Sequence, residues 1–121
     1  MNIQYKIWLE KDGHVLFGKG RDELLKAIAE CKSLNAAAKK LNMSYRAAWG
    51  RLKASEKRLG IPLVEVESQK QGMHLTEQAE ILLQAFEQLH EEVGSLIAQR
   101  TQQLSFLCTP SGDKPDTSEN P

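Results

Sequence analysis

Between Lys39 and Arg58, seven basic side chains (Lys39, Lys40, Arg46, Arg51, Lys53, Lys57 and Arg58) accompany a single acid, Glu56. That local balance of +6 stands in a chain whose sixteen basic and sixteen acidic residues cancel overall. A cluster of this kind neutralises a polyanion and releases its counterions, the chemistry of phosphodiester binding. At about 100° per residue on a helix, Arg46, Gly50, Lys53 and Lys57 share one face, and Ala48, Leu52, Ser55 and Leu59 share the opposite one. The basic stripe is therefore separate from the core stripe. Arg46, in the first turn, carries the planar fork that bonds a guanine edge in the major groove, while Lys53 and Lys57, further along, are placed for phosphate. Gly50 lowers helix propensity by roughly 1 kcal/mol relative to alanine, which fits close approach of a backbone or a merely tolerated residue. The Tyr45 hydroxyl can reach a phosphate or a base. Trp49 falls near the boundary of the two faces, as a partly buried strut or a groove-lining aromatic, and burial is the commoner state of tryptophan.

Other chemistries lack ingredients. His14, His74 and His90 are scattered, and no paired carboxylate, nucleophile elbow or phosphate-cradling glycine loop appears, so no enzyme, cofactor or metal site is expected. The spacings Glu77/Glu80 and Glu87/Glu91 read as a solvated face rather than a carboxylate metal site. Cys31 and Cys108 are too few and too far apart for a zinc cluster or a disulfide framework, and Cys31 reads as a small buried hydrophobe. A length of 121 residues with 26% charged side chains gives one globular domain plus a tail. No apolar run approaches the roughly 18 to 20 residues of a membrane span, and the start, MNIQYKIWLEKDG, lacks a signal-peptide stretch, so no membrane partner and a cytoplasmic location are expected.

Periodicity supplies the elements that must hold the basic face. Ile3, Tyr5, Ile7 and Leu9 form a period-2 apolar row, and Asp12-Gly13 turns it into His14-Val15-Leu16-Phe17, a hairpin over 3–17 with Trp8 pointing to its other face. Leu24, Leu25, Ile28, Ala29 and Cys31 mark an amphipathic helix over 21–32. Ser33 caps a short helix through Leu41. Ser44 caps a longer one that Gly60-Ile61-Pro62 ends, and these make a helix-turn-helix over 33–59. Ala36, Ala37 and Ala38 admit a close crossing of its two helices. Leu63–Glu67 and Met73–Leu75 alternate as a wing-like hairpin over 63–75. A long helix, 76–104, follows. Its apolar row of Leu82, Phe86, Leu89, Val93 and Leu96 is stepped for dimerisation, or for packing on its own domain. That helix carries five glutamates against Arg100, so the molecule is polarised, with an acidic helix far from a basic one. Residues 105–121, rich in Pro, Ser, Asp and Gly, are expected to be disordered. The fold class is mainly α (α+β): a winged helix-turn-helix with an N-terminal hairpin and a long C-terminal dimerisation helix.

The run SLNAAAKKLNMSYRAAWGRLKASEKRLGIPLVEVE, followed by HLTEQAEILL, resembles the N-terminal winged helix-turn-helix of ModE-type molybdate-responsive regulators and, more distantly, the DNA-binding domain of LysR-type regulators. The Ser44-Tyr45 and Ala48-Trp49 pairs favour the ModE type, and the opening YKIWLEKDGHVLFGKGRDELLKAI is similar to the start of that domain. The resemblance implies a homodimeric transcriptional regulator of double-stranded DNA, with Ser44, Tyr45, Arg46, Gly50 and Lys53 at the groove, beside the Trp49 and Lys57 that the helix wheel adds. The wing departs from the glycine-rich family pattern, so its contact rests mainly on Lys70. Leu75-Thr76-Glu77-Gln78-Ala79 lacks the glycine of the common L-T-x-x-G, which lets the last helix run on. Only 17 residues follow Leu104, too few for the family's oxyanion-binding module, so molybdate or other oxyanion binding is doubtful. The alternative function is a winged-helix protein-interaction module that never touches DNA.

Overall fold

Asp12 and Gly13 both take left-handed backbone angles, φ 53° and 79°, the pair that a two-residue hairpin turn requires. They join β1 (Trp8–Lys11) to β2 (His14–Gly18). The computed structural model describes residues 1–66 and 72–107. The register shifts between Leu9 and Glu10, making Leu16 the extra residue of a bulge. The apolar row predicts a strand from Ile3, yet β1 begins only at Trp8. Its partner β2 ends at Gly18, opposite Trp8, and leaves residues 3–7 nothing to pair with. They follow the core by side chains instead: Ile7 packs against it, and the Tyr5 ring lies 6.0 Å from that of His90. Trp8 covers no second layer; it is 49% exposed, with its indole N–H donating to Glu10 at 2.9 Å.

Helix α1 (Arg21–Cys31) starts without a side-chain cap at Gly20. The Asp22 carboxylate substitutes by accepting from the Gly20 and Glu23 amides at 3.0 and 2.8 Å. Leu24, Leu25, Ala27 and Ile28 form its buried face, whereas Ala29 is exposed and Cys31 half-buried, so the thiol is less enclosed than its spacing suggests. Helix α2 (Leu34–Lys40) and helix α3 (Tyr45–Leu59) follow. The Ser33 and Ser44 hydroxyls accept from the Ala36 and Ala47 amides at 3.1 Å, each satisfying one orphan donor of a first turn. Ala37, Ala38 and Ala48 are at most 1% exposed; small side chains let α2 and α3 cross closely. Ala36 stands outside that contact and is exposed.

The wing strands β3 (Val64–Val66) and β4 (Met73–Leu75) pair antiparallel, Val64 opposite Leu75. Thr76 opens α4 (Glu77–Leu104) by accepting from the Ala79 amide at 3.1 Å, while its own hydroxyl donates to the Pro62 carbonyl at 2.8 Å. The core gathers Phe17, Leu24, Leu25, Ile28, Leu52 and Leu63, all nearly inaccessible. Phe86 of α4 closes it against Phe17, edge to face, centroids 5.1 Å apart at 89°. Phe86, expected among the dimer contacts, is 3% exposed and belongs to its own domain's core, a correction. The row from Leu89 to Leu96 reads otherwise: Leu89 and Leu96 are 40% and 49% exposed, and Val93 is half-buried. Beyond Leu104 the backbone makes one 3₁₀ turn, Ser105–Leu107, where disorder is expected. The Ser105 hydroxyl holds it by donating to the Gln102 carbonyl at 2.6 Å. The rest of the tail, 108–121, lies outside the described residues.

Candidate nucleic-acid interface

Helix α3 turns two different faces outward and inward. Ala48, Leu52 and Ser55 are buried. Tyr45 and Trp49 are 52% and 43% exposed, and Arg46, Gly50, Lys53 and Lys57 are exposed beside them. Trp49 is thus not the buried strut that tryptophan statistics favour. The Lys53 ammonium sits 4.5 Å from its ring centroid, a cation–π contact that fixes the indole on the outer surface. A Cβ added to Gly50 would meet nothing within 4 Å, so this position keeps an open surface in the middle of the basic face.

The seven cations of this segment divide by what they touch. Lys40 is paired with Glu30 across two exposed side chains. Their mutual hydrogen bond, then their charges, holds the Glu30 carboxyl below its ordinary range and raises the Lys40 ammonium. Lys53 bonds Glu56 Oε1 at 3.1 Å. Arg58 donates to the Val15 carbonyl at 3.0 Å and ties α3 to the hairpin. Among the described residues, no side-chain hydrogen bond or ion pair engages Lys39, Arg46, Arg51 or Lys57. Of these, Arg46 and Lys57 lie on the exposed outer face of α3.

Glu56 and Arg21 are the functional supports that sequence reasoning missed. The second Glu56 oxygen accepts from the Leu63 amide at 2.8 Å, so one carboxylate holds both Lys53 and the entry to the wing. Its being the lone acid of the segment was the available signal. Arg21 Nε donates to Ser55 Oγ at 2.8 Å, and that hydroxyl donates to the Arg51 carbonyl at 2.8 Å, which satisfies a buried polar group on the core face. Nothing in the local spacing announces a bond across 34 positions.

The wing is hung from the turn after α1. The Met73 amide donates to the Lys32 carbonyl at 2.9 Å, and a Cβ on Gly72 would fall 2.3 Å from that oxygen, at φ +66°. Only glycine permits this approach. Within the wing His74 Nε2 lies 3.3 Å from Glu65 Oε2. Lys70, the expected wing contact, lies outside the described residues.

Two serine-capped helices around a left-handed Asn42, a basic outer face on the second and a tethered hairpin behind it make a winged helix-turn-helix. Residues 23–80 match the bacterial regulatory helix-turn-helix proteins of the lysR family. Over that segment, a little under half of its length, the chain is similar to that family. The chain also resembles the transcriptional regulator ModE of Haemophilus influenzae, 38% identical over 89 residues. That match takes in 71% of this chain and 31% of ModE, so the chain spans about a third of this relative's length. The DNA-binding domain of CbnR, solved in complex with DNA, superposes with a TM-score of 0.54 at 27% identity, covering 69% of this chain and 93% of that one. The OxyR of Corynebacterium glutamicum gives 0.52 at 27% identity, over 67% of this chain and 26% of its own. At 23% identity, the BenM domain in complex with benA site 1 DNA, with a TM-score of 0.55 over 69% of this chain and 92% of its own, shares the fold. No group of three His, Cys, Asp or Glu among the described residues is placed to hold a metal. No described helix is long and apolar enough to cross a membrane.

Proposed function

We propose that this chain is a cytoplasmic, non-enzymatic transcriptional regulator that binds double-stranded DNA as a homodimer, with α3 in the major groove. The observation that carries the reading is the outer face of α3, where Arg46 and Lys57 project beside the open Gly50 position while the opposite face is core. Arg46 in the first turn reads a guanine edge; Lys53 and Lys57 meet phosphate; Tyr45 and Trp49 border the groove, and the Ser44 cap aims the helix N-terminus at it. Lys70 of the wing adds a phosphate contact. The dimer forms along α4 through Leu89, Val93 and Leu96, assisted by the half-buried Leu82. Two such heads read half-sites about 34 Å apart or near a multiple of that distance.

The test is the affinity for a generic duplex as a function of salt. A regulator of this kind loses log affinity linearly with log salt, with a slope of about −0.9 per phosphate neutralised. A slope near zero at low micromolar protein removes the DNA reading in favour of a protein-interaction module. Sedimentation at tens of micromolar checks the assembly, and a species of 13.6 kDa alone removes the paired half-site geometry.

A further inference from the structure

A cleft of about 460 Å³ opens between the segment entering β1, the start of α1 and His90 of α4. Ile7 and Trp8 are among its apolar lining, and Lys6, Lys19 and Arg21 line it as its three cationic residues. Among the described residues no carboxylate lines it. The acids closest in sequence are already engaged: Asp22 caps α1, and Glu10, at the outer edge of the Trp8 wall, accepts from the indole N–H.

More positive charge gathers behind this cleft. Arg58 is bonded to the Val15 carbonyl, and Arg51 Nη1 lies within 3.5 Å of where a Cβ on Gly20 would stand. Partial burial, and then the Arg58 and Arg51 charges, hold the pKa of Arg21 below the ordinary guanidinium value. Like charges assembled without a counter-charge repel one another, and a bound anion removes that repulsion. Arg51 and Arg58 also lie about 120–140° around α3 from Arg46 at 100° per residue, so this charge is not the outer row assigned to the groove.

We propose that the cleft is a binding site for a small aryl anion, whose charged group meets Lys6, Lys19 and Arg21 and whose ring lies along Trp8 and Ile7. Apolar walls with a few convergent cations are the make-up of small-molecule sites in general. The site is separate from the DNA-binding face.

Calorimetric titration of the full chain with phenyl phosphate tests this, with phenol as the neutral control. The wild type is expected to bind phenyl phosphate saturably at one per chain and to ignore phenol. Lys6→Glu combined with Lys19→Glu is expected to weaken binding by roughly tenfold or more, with an unchanged circular dichroism spectrum because both side chains are exposed. Trp8→Ala, which keeps every cation, weakens it as well. Three results overturn the proposal: no saturable binding up to about 10 mM, an affinity in the charge-reversed variant within twofold of wild type, or displacement of phenyl phosphate by an equimolar generic duplex, which assigns these cations to DNA.

Discussion

Replacing Glu56 by glutamine tests the recognition helix without knowledge of any operator. In the wild type Lys53 reaches phosphate only by leaving Glu56 Oε1, 3.1 Å away, in a pair whose side chains are 47% and 15% exposed. A pair this open to solvent is worth roughly 0.2–1 kcal/mol, so freeing Lys53 strengthens duplex binding by up to about fivefold, since 1.4 kcal/mol is a factor of ten. The salt slope steepens by at most about 0.9, the value for one further phosphate. Glutamine keeps an oxygen for the Leu63 amide, so stability falls by no more than the pair's worth. Glu56→Ala strands that amide at a residue 1% exposed and costs a further 1–3 kcal/mol or so. Fluorescence anisotropy of a labelled duplex across a salt series reads the first two effects, and urea unfolding reads the third. Identical affinity and slope in Glu56→Gln and wild type would refute the placement of Lys53 at the duplex.

Four further outcomes follow from the same geometry. Arg46→Ala is expected to relax sequence preference, losing roughly 1–3 kcal/mol at one base pair, while Lys57→Ala weakens all sequences alike; equal effects across a site library contradict these roles. Gly72→Ala forces a Cβ to within 2.3 Å of a backbone oxygen at positive φ and is expected to destabilise by about 2–4 kcal/mol from the combined strain and overpacking, read as a lower urea midpoint. Phe86→Ala costs about 3–5 kcal/mol of fold stability, whereas Leu96→Asp leaves stability within about 0.5 kcal/mol but shifts sedimentation to the monomer; the converse pattern reverses their assignment. Glu30→Gln removes a stabilising pair whose contribution is fully present near neutral pH. Because the folded Glu30 pKa is depressed, that contribution disappears as pH falls through it, and because the Lys40 pKa is raised, it is lost again as pH rises through that value. The gap in melting temperature between wild type and variant should therefore close at both extremes, and a gap independent of pH contradicts it.

Helix boundaries were legible because the caps are local chemistry. Ser33, Ser44, Thr76 and Gly60 each act within one turn of the backbone they terminate, and their residue types alone locate α2, α3 and α4. The outer face of α3 was legible for the same reason, since 3.6-residue periodicity sorts Arg46, Gly50, Lys53 and Lys57 from Ala48 and Leu52. What periodicity cannot sort is competition between two partners for one apolar row. Phe86 and Leu89 are neighbours in the same α4 stripe, yet Phe86 meets Phe17 from a segment 69 positions earlier, and Leu89 does not. Strand length was misread from Ile3 because alternation reports two faces, not the presence of a partner strand. Arg58, counted only in the charge balance of its segment, also donates to the Val15 carbonyl, a long-range bond that local spacing does not announce.

Lys32 sits in a left-handed conformation and gives its carbonyl to the wing, while the next residue, Ser33, caps the helix that carries α3. Strand β4 and helix α2 are thus anchored on two consecutive peptide units. A change that pulls Lys32 out of its left-handed angle therefore reaches the wing strand and the capped helix at once, whereas the Glu56–Leu63 and Arg58–Val15 bonds hold α3 independently of that turn.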